Sequence, residues 1–586
     1  MNLMEQPSSV TRDASAGSPA IATRDSLVLT LVGSGGDGVA LLGDLILRMT
    51  AHQGLYGMMV QSYGPQIRGG ESAVVLRIAR EEIQFEGDET DLLLCSRLSD
   101  LQRFRASVKL HAGSTVVLEA TDETPLPDWL QASRAPFRFP FATIQDGREV
   151  PGAPKNMLAL GLITRALGWP PALAHHAVEH RFGHRPEVLA RNLAALDRGY
   201  ATSDAPALPA LTGHGVPLVV ETGNEAVARG AMDAGLRFFA GYPITPSSEI
   251  METLIDELPA RGGRVVQAED EMAALGMVIG SSFGNVPAMT ATSGPGLSLM
   301  TEMLGLSSMA EIPSVIVDCQ RAGPATGMPS RMEQADLNHA IYGGHGDFPR
   351  VVLGIFDVVH AREAMHRAFA LAEKFLLPVI VLSDAYIAQR RQIRDAAVET
   401  REMPRRRTWG PKDGAVAFSL DEPVRPFRVP GTPEGQVLLA GLEHNEEGWP
   451  TADGALHQRM NEKRFKKLPL IEAETRDWYH TLGAADARRG IIAWGSTFGV
   501  LREWLRAHPE YRVFLPEILH PFPLAALAEW RQGLEWCAVL EMSYQGQLHR
   551  HLSGLTDMAG VRSIARSGGL PMTLQEITRR IEEASR

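Results

Sequence analysis

Between Gly241 and Gly327 the chain sets four polar, Gly/Pro-rich turns, each after an apolar, β-prone run and before a helix-like run. They contain Gly241-Tyr242-Pro243-Ile244-Thr245-Pro246-Ser247-Ser248, Ala268-Glu269-Asp270-Glu271, Thr292-Ser293-Gly294-Pro295-Gly296 and Gln320-Arg321-Ala322-Gly323-Pro324-Ala325-Thr326-Gly327. Residues 237–240, 264–267, 288–292, 314–318 and 378–383 are the strand candidates, and helix-length stretches separate them. That alternation predicts an α/β fold with a doubly wound parallel sheet. In such a sheet the strand-to-helix turns gather at the carboxyl edge, where ligands bind. Four such turns make a site.

The chain has 586 residues, 44% of them hydrophobic and 22% charged, which is enough apolar material for several cores. A net charge of −12 argues against nucleic-acid binding. No apolar run approaches the length needed to span a bilayer. Residues 1–24 are polar, without the apolar centre of an export signal, and read as a disordered tail. Cys95, Cys319 and Cys537 lie far apart in apolar runs, so they form neither a disulfide framework nor a CxxC metal motif. They are expected to be buried thiols in a reducing, cytoplasmic setting.

Near the start, an apolar run at 27–32 leads into Gly33-Ser34-Gly35-Gly36-Asp37-Gly38 and then a helix-like stretch. Glycines there let a backbone approach a phosphate. The acid that a dinucleotide site wants about 20 residues later is missing, which argues against NAD. Gly36-Asp37-Gly38 also imitates the start of a diphosphate and Mg²⁺ motif, but no Asn follows between Val39 and Ser72 to complete it. A second glycine-rich turn, 62–71, carries Arg68, either a phosphate clamp or a plain surface arginine. Strands and helices are expected to alternate to about residue 200. The organisation is a tail (1–24), an α/β domain (25–202), a linker (203–215), the domain with the four turns (216–398), a Pro- and Arg-rich connector (399–435) and a last α/β domain (436–586). That last domain is expected to open on a strand at 436–441.

Glu271 begins a helix made almost wholly of small and apolar residues, which is therefore expected to be buried. An acid in a first helical turn can simply complement the helix dipole. A buried one needs a specific partner. Glu269 and Asp270 are alternatives at the strand end. Arg321 is either a carboxylate clamp or a surface ion pair.

Together these turns resemble the pyrimidine domain of thiamine-diphosphate enzymes, and more closely the alpha subunit of 2-oxoacid:ferredoxin oxidoreductases. The 33–38 and 62–70 turns resemble that family's gamma domain (Rossmann-like), fused ahead of the alpha portion. The part from Gln436 onward resembles its transketolase C-terminal-like domain. Glu443-His444-Asn445-Glu446-Glu447-Gly448 looks like the variant found in 2-oxoglutarate enzymes.

The resemblance implies that Glu271 is the catalytic acid, hydrogen-bonded to the aminopyrimidine ring of thiamine diphosphate. It implies that Tyr242, Pro243, Ile244, Thr245 and Gly294 also line the cofactor, and that Thr245, Arg321 and Ser293 hold the substrate. Gly33, Gly35, Gly36, Gly38 and Arg68 become the expected place for coenzyme A phosphates. No metal ligand is assigned to this chain. Mg²⁺ and a [4Fe-4S] cluster are expected in a beta subunit, with ferredoxin as electron acceptor and an alpha2beta2 heterotetramer as the assembly. The activity implied is oxidative decarboxylation of 2-oxoglutarate to succinyl-CoA and CO2. The alternatives are pyruvate or a branched-chain 2-oxoacid, a non-oxidative transketolase-type enzyme, and a non-catalytic subunit.

Overall fold

The structure is a computed structural model that describes residues 25–34, 36–63, 71–130, 135–141, 144–145, 148–149, 154–395, 405–410, 412–414, 416–433 and 435–586. Among the described residues no helix is long and apolar enough to cross a membrane. The three cysteines are free and buried, as expected.

The central sheet has seven strands in the order Arg264–Gln267, Phe238–Gly241, Ala288–Thr292, Ser314–Gln320, Pro378–Asp384, Val351–Gly354 and Ile518–His520. The first six are mutually parallel and the last is antiparallel. The two longest, Ser314–Gln320 and Pro378–Asp384, are buried at every position, as expected for strands covered by helices on both faces. The helix Val358–Phe375 covers one side, with Asp357 capping it by accepting from the His360 amide at 2.6 Å. The parallel strands were legible in sequence except Val351–Gly354.

The N-terminal sheet has eight strands in the order Phe137–Phe139, Leu110–Glu119, Thr90–Cys95, Ser26–Ser34, Glu71–Ala79, Tyr56–Tyr63, Arg391–Arg394 and Val219–Thr222. Its first half is parallel. Tyr56–Tyr63 and Glu71–Ala79 form an antiparallel pair, which corrects the expected strand–helix alternation. The seven residues joining them (64–70) are too few for a parallel crossover. Val219–Thr222 and Arg391–Arg394, which flank the central domain in sequence, complete this sheet.

The third sheet runs Tyr479–Gly483, Tyr511–Pro516, Arg489–Ala493, Trp536–Glu541, Val561–Ala565. Residues 436–441 form no strand, a second correction. Val437 and Leu439 pack on a small core of Ala417, Phe418, Leu420 and Met460, while Leu438 between them is 41% exposed.

Candidate active site

Because Phe238–Gly241, Arg264–Gln267, Ala288–Thr292 and Ser314–Gln320 are parallel, their following turns share the carboxyl edge. All four clusters are thereby brought together. Arg321 shows the convergence directly: its Nη1 donates to the Thr245 carbonyl at 2.7 Å, tying the turn after one strand to the turn after another. Asn224 Nδ2 holds the same turn from below by donating to the Pro246 carbonyl at 2.8 Å. Tyr242, Pro243 and Thr245 are exposed and Ile244 is half-buried, while Pro246 and Ser247 are buried, so the first half of the turn faces outward.

Three adjacent acids separate by position. Glu269 is exposed. Asp270 caps the helix Glu271–Phe283 by accepting from the Ala273 amide at 2.7 Å. Glu271 is 5% exposed. Its carboxylate lies over Gly296, in the helix Gly294–Leu299. A Cβ built on Gly296 would stand 2.5 Å from Glu271 Oε1 and 2.0 Å from Thr292 Oγ1. Glycine is thus the residue that leaves room for this acid. The helix itself corrects an expectation: Met272, Met277 and Gly280 are exposed along one side, so it is buried on one face only.

Ser293 Oγ is buried and has no hydrogen-bond partner among the described residues. Arg321 is 8% exposed, and its Nε is likewise buried without a partner. Burial lowers the guanidinium's pKa, opposed by Asp336 and Asp318. These two aspartates were not singled out in sequence. Asp318 is fully buried in Ser314–Gln320, both its carboxyl oxygens without a partner among the described residues. Burial, then the charge of Asp336, push its pKa well up, against the pull of Arg321. Asp336 is anchored by its amide, which donates to Gln320 Oε1 at 3.0 Å. Its carboxyl sits where a Gly294 side chain would be, 2.7 Å and 2.8 Å from a Cβ built there. Burial raises its pKa to about 7 against the pull of Arg321. An aspartate inside Ser-Val-Ile-Val-Asp-Cys-Gln was the available signal, because a strand interior has no bland use for a carboxylate.

In the N-terminal turn, Gly38 has φ 72° and precedes the helix Val39–His52. Asp37 folds its carboxylate back onto the Ser34 amide at 3.0 Å and the Ser96 hydroxyl at 2.8 Å. A Cβ on Gly33 would meet Ser96 Oγ at 2.8 Å, whereas one on Gly36 would meet nothing within 4 Å among the described residues. Gly35 and Arg68 lie outside the described residues.

The stretch that carries these four turns is of thiamine-diphosphate-binding type by its family match. Residues 229–463 match the family described as "Pyruvate flavodoxin/ferredoxin oxidoreductase, thiamine diP-bdg", and residues 28–202 match "Pyruvate ferredoxin/flavodoxin oxidoreductase". The chain is 34% identical to the 2-oxoglutarate synthase subunit KorA of Methanothermobacter marburgensis, over 59% of this chain and 94% of that one. It is 28% identical to the 2-oxoglutarate oxidoreductase subunit KorA of Mycobacterium tuberculosis, over 96% and 92%. The 2-oxoglutarate:ferredoxin oxidoreductase structure from Magnetococcus marinus, with 2-oxoglutarate, coenzyme A and succinyl-CoA bound, superposes with a TM-score of 0.87. That match has 32% identity and covers 96% of this chain and 100% of that one. The chain belongs to the alpha subunits of the 2-oxoacid:ferredoxin oxidoreductases.

Proposed function

We propose that this chain is the alpha subunit, with a fused gamma portion, of an enzyme that oxidatively decarboxylates 2-oxoglutarate to succinyl-CoA and CO2, and that a beta subunit completes its site. The observation that carries this reading is Glu271, a buried acid set over Gly296 at the carboxyl edge of the central sheet. The residues present fit the aminopyrimidine end of thiamine diphosphate, where Glu271 offers a sheltered carboxylate for a ring nitrogen; Ser293 offers the substrate a buried hydroxyl that has no partner among the described residues. Tyr242, Pro243, Ile244 and Gly294 would line the ring. When bound, thiamine diphosphate supplies the electron sink that lets a 2-oxoacid lose CO2.

The chain's own residues do the rest of the work on this side of the site. Glu271, sheltered from water by its burial, would hydrogen-bond the ring nitrogen. Arg321 keeps one donor on the Thr245 carbonyl and turns the remainder of its fork to the substrate carboxylate. Thr245, exposed beside it, offers its hydroxyl to a neighbouring oxygen. The choice of 2-oxoglutarate is supported by relatives named for that substrate and by the Magnetococcus marinus complex that holds it. Coenzyme A is the acyl acceptor, its phosphates assigned to the Gly36 side of the 33–38 turn, with Arg68.

Tyr242, Met272, Met277, Leu299 and Met328 are each more than 40% exposed and lie on the four turns and the helices that follow them. Apolar side chains around a polar site fit a second subunit. That subunit would bring the diphosphate site, Mg²⁺ and the [4Fe-4S] cluster, in an alpha2beta2 assembly that passes electrons to ferredoxin. The test is anaerobic viologen reduction by the complex purified with its partner subunit. Reduction with 2-oxoglutarate and coenzyme A, absent with pyruvate, is expected. Glu271→Gln should lower it at least about 100-fold, the scale of a lost proton-transfer group, without dissociating the subunits. Equal rates for the Gln variant would remove Glu271 from the chemistry.

A further inference from the structure

We propose that Asp318 and Asp336 form a proton-holding pair behind Arg321, and that binding of the 2-oxoacid carboxylate to Arg321 draws a proton onto the pair. The inference rests on the reading of Arg321 as the substrate-carboxylate residue.

The geometry is unusual for carboxylates. Asp318 is fully buried, and neither of its oxygens has a hydrogen-bond partner among the described residues. Asp336 Oδ2 is buried in the same condition, beside the side-chain-free Gly294. The Asp336 amide is held by Gln320, which lies two residues from Asp318 on the same strand face and next to Arg321; the charge of Arg321 acts on both aspartates, and its buried Nε has no partner among the described residues. Glu333, whose Oε1 accepts from the Gly568 amide at 2.9 Å, acts on Asp336, and its charge opposes ionisation there. Gln320 faces Asp336 through its amide oxygen and is neutral.

Charge counting then gives the behaviour. With one proton between the two carboxyls, the pair carries one negative charge against the single positive charge of Arg321, and the set is balanced. A substrate carboxylate arriving at Arg321 takes over that positive charge. The pair is left with a buried negative charge facing another anion, which is costly in a site of low polarity. Taking up a proton removes the conflict. By linkage, whatever binds with proton uptake binds more weakly as pH rises, by up to about tenfold per pH unit for one proton. Two carboxyls that share a site titrate as a pair, so the proton belongs to the pair, and only removing both carboxyls is sure to remove the effect. Both aspartates act through Arg321 and are positioning residues.

The experiment is calorimetric titration of the complex, purified with its partner subunit, with 2-oxoglutarate. It is run from pH 6 to pH 9 in pairs of buffers of different ionisation heat. The complex is first freed of thiamine diphosphate so that no decarboxylation moves protons, and both carboxylates of 2-oxoglutarate are already ionised across that range, so any proton taken up belongs to the protein. The expected result is an uptake approaching one proton per site above about pH 7, where Asp336 titrates, with affinity falling as pH rises. The double variant Asp318→Asn/Asp336→Asn should take up close to none and bind with a flat pH profile, while Asp336→Glu should keep the uptake. Unchanged uptake in the double variant overturns the proposal. If the double variant does not fold, absence of uptake in the natural protein or in Asp336→Glu overturns it. Arg321→Gln separates the two readings. Unaltered affinity in that variant sinks the role of Arg321 itself, whereas weakened affinity together with no proton uptake in the natural protein sinks only the pair.

Discussion

At the scale of the residue, the site depends on which of three consecutive acids lands inside. Glu269, Asp270 and Glu271 are chemically near-equivalent in sequence, and the helix start sorts them: one exposed, one capping, one buried over Gly296. The same geometry makes Gly296→Ala informative. The added methyl would meet Thr292 Oγ1 at 2.0 Å and Glu271 Oε1 at 2.5 Å, so the carboxylate or the helix under it must move. A displacement of about 1 Å at a reacting group costs roughly 100-fold. Viologen reduction by Gly296→Ala should fall by about that factor while the subunits still assemble; an undiminished rate would mean that the acid tolerates displacement. Sequence motifs brought Glu271, Arg321, Thr245 and Ser293 to one edge correctly. They could not show that Arg321 spends a donor on a main-chain carbonyl, or that Asp318 and Asp336 stand behind it. Those contacts depend on how the loop after Ser314–Gln320 returns to the sheet, and no local pattern encodes that path.

At the scale of the element, strands were legible where apolar β-prone runs fill a buried interior position. Strands of three or four residues were read where one of the four polar turns follows, as at Phe238–Gly241 and Arg264–Gln267, and missed elsewhere: Val219–Thr222, Val351–Gly354, Arg391–Arg394 and Ile518–His520. A strand of three or four residues has too few alternations to carry a periodic signal. Residues 436–441 show the converse, an apolar run that finds no sheet partner and packs on Phe418 and Met460 instead. What fixes this irregular region to the central domain is charge. Glu311 follows the helix Thr301–Met309, is 1% exposed, and meets Lys463 and, at 2.7 Å, Lys467. These lysines belong to the helices Gly454–Phe465 and Lys467–Thr475 and are themselves 1% exposed. Burial alone would raise the Glu311 pKa, but Lys463, Lys467 and Arg425 hold it far below the carboxylate range. Removing one partner of such a set strands the others, at a cost of about 3–5 kcal/mol. Glu311→Gln should therefore speed amide exchange in Gly454–Phe465 by at least about 100-fold. Exchange unchanged from the natural protein would show that apolar packing, not this ion cluster, docks the helix.

At the scale of the whole molecule, the three sheets do not keep to the divisions read from sequence. The N-terminal sheet borrows Val219–Thr222 and Arg391–Arg394 from either end of the central portion, and the central sheet borrows Ile518–His520 from the C-terminal one. Main-chain pairing of this kind makes the gamma-like portion an extension of the site-bearing portion rather than an appendage. One carboxylate sits at the join. Glu221, 0% exposed in Val219–Thr222, accepts from Arg394 at 2.6 Å on the adjacent strand. It also accepts from Arg362 at 2.7 Å and Arg229 at 2.8 Å on two helices of the central portion. Burial would raise its pKa, yet the three guanidinium groups bring it down from 4.5 to about 2. A carboxyl whose pKa is depressed in the folded state stabilises that state above its unfolded value, and the contribution disappears as pH falls through the folded one. Here the window runs from about pH 4.5 down to about pH 2, and the shift corresponds to roughly 3 kcal/mol. Glu221→Gln leaves three buried or half-buried cations around a neutral amide, so its cost is present already at neutral pH. The expected pattern is a lower thermal midpoint than the natural protein at pH 7, with the gap closing as both are acidified toward pH 2. A gap that stays constant with pH would mean that the shape of the Glu221 side chain, and not its charge, holds the two sheets in register.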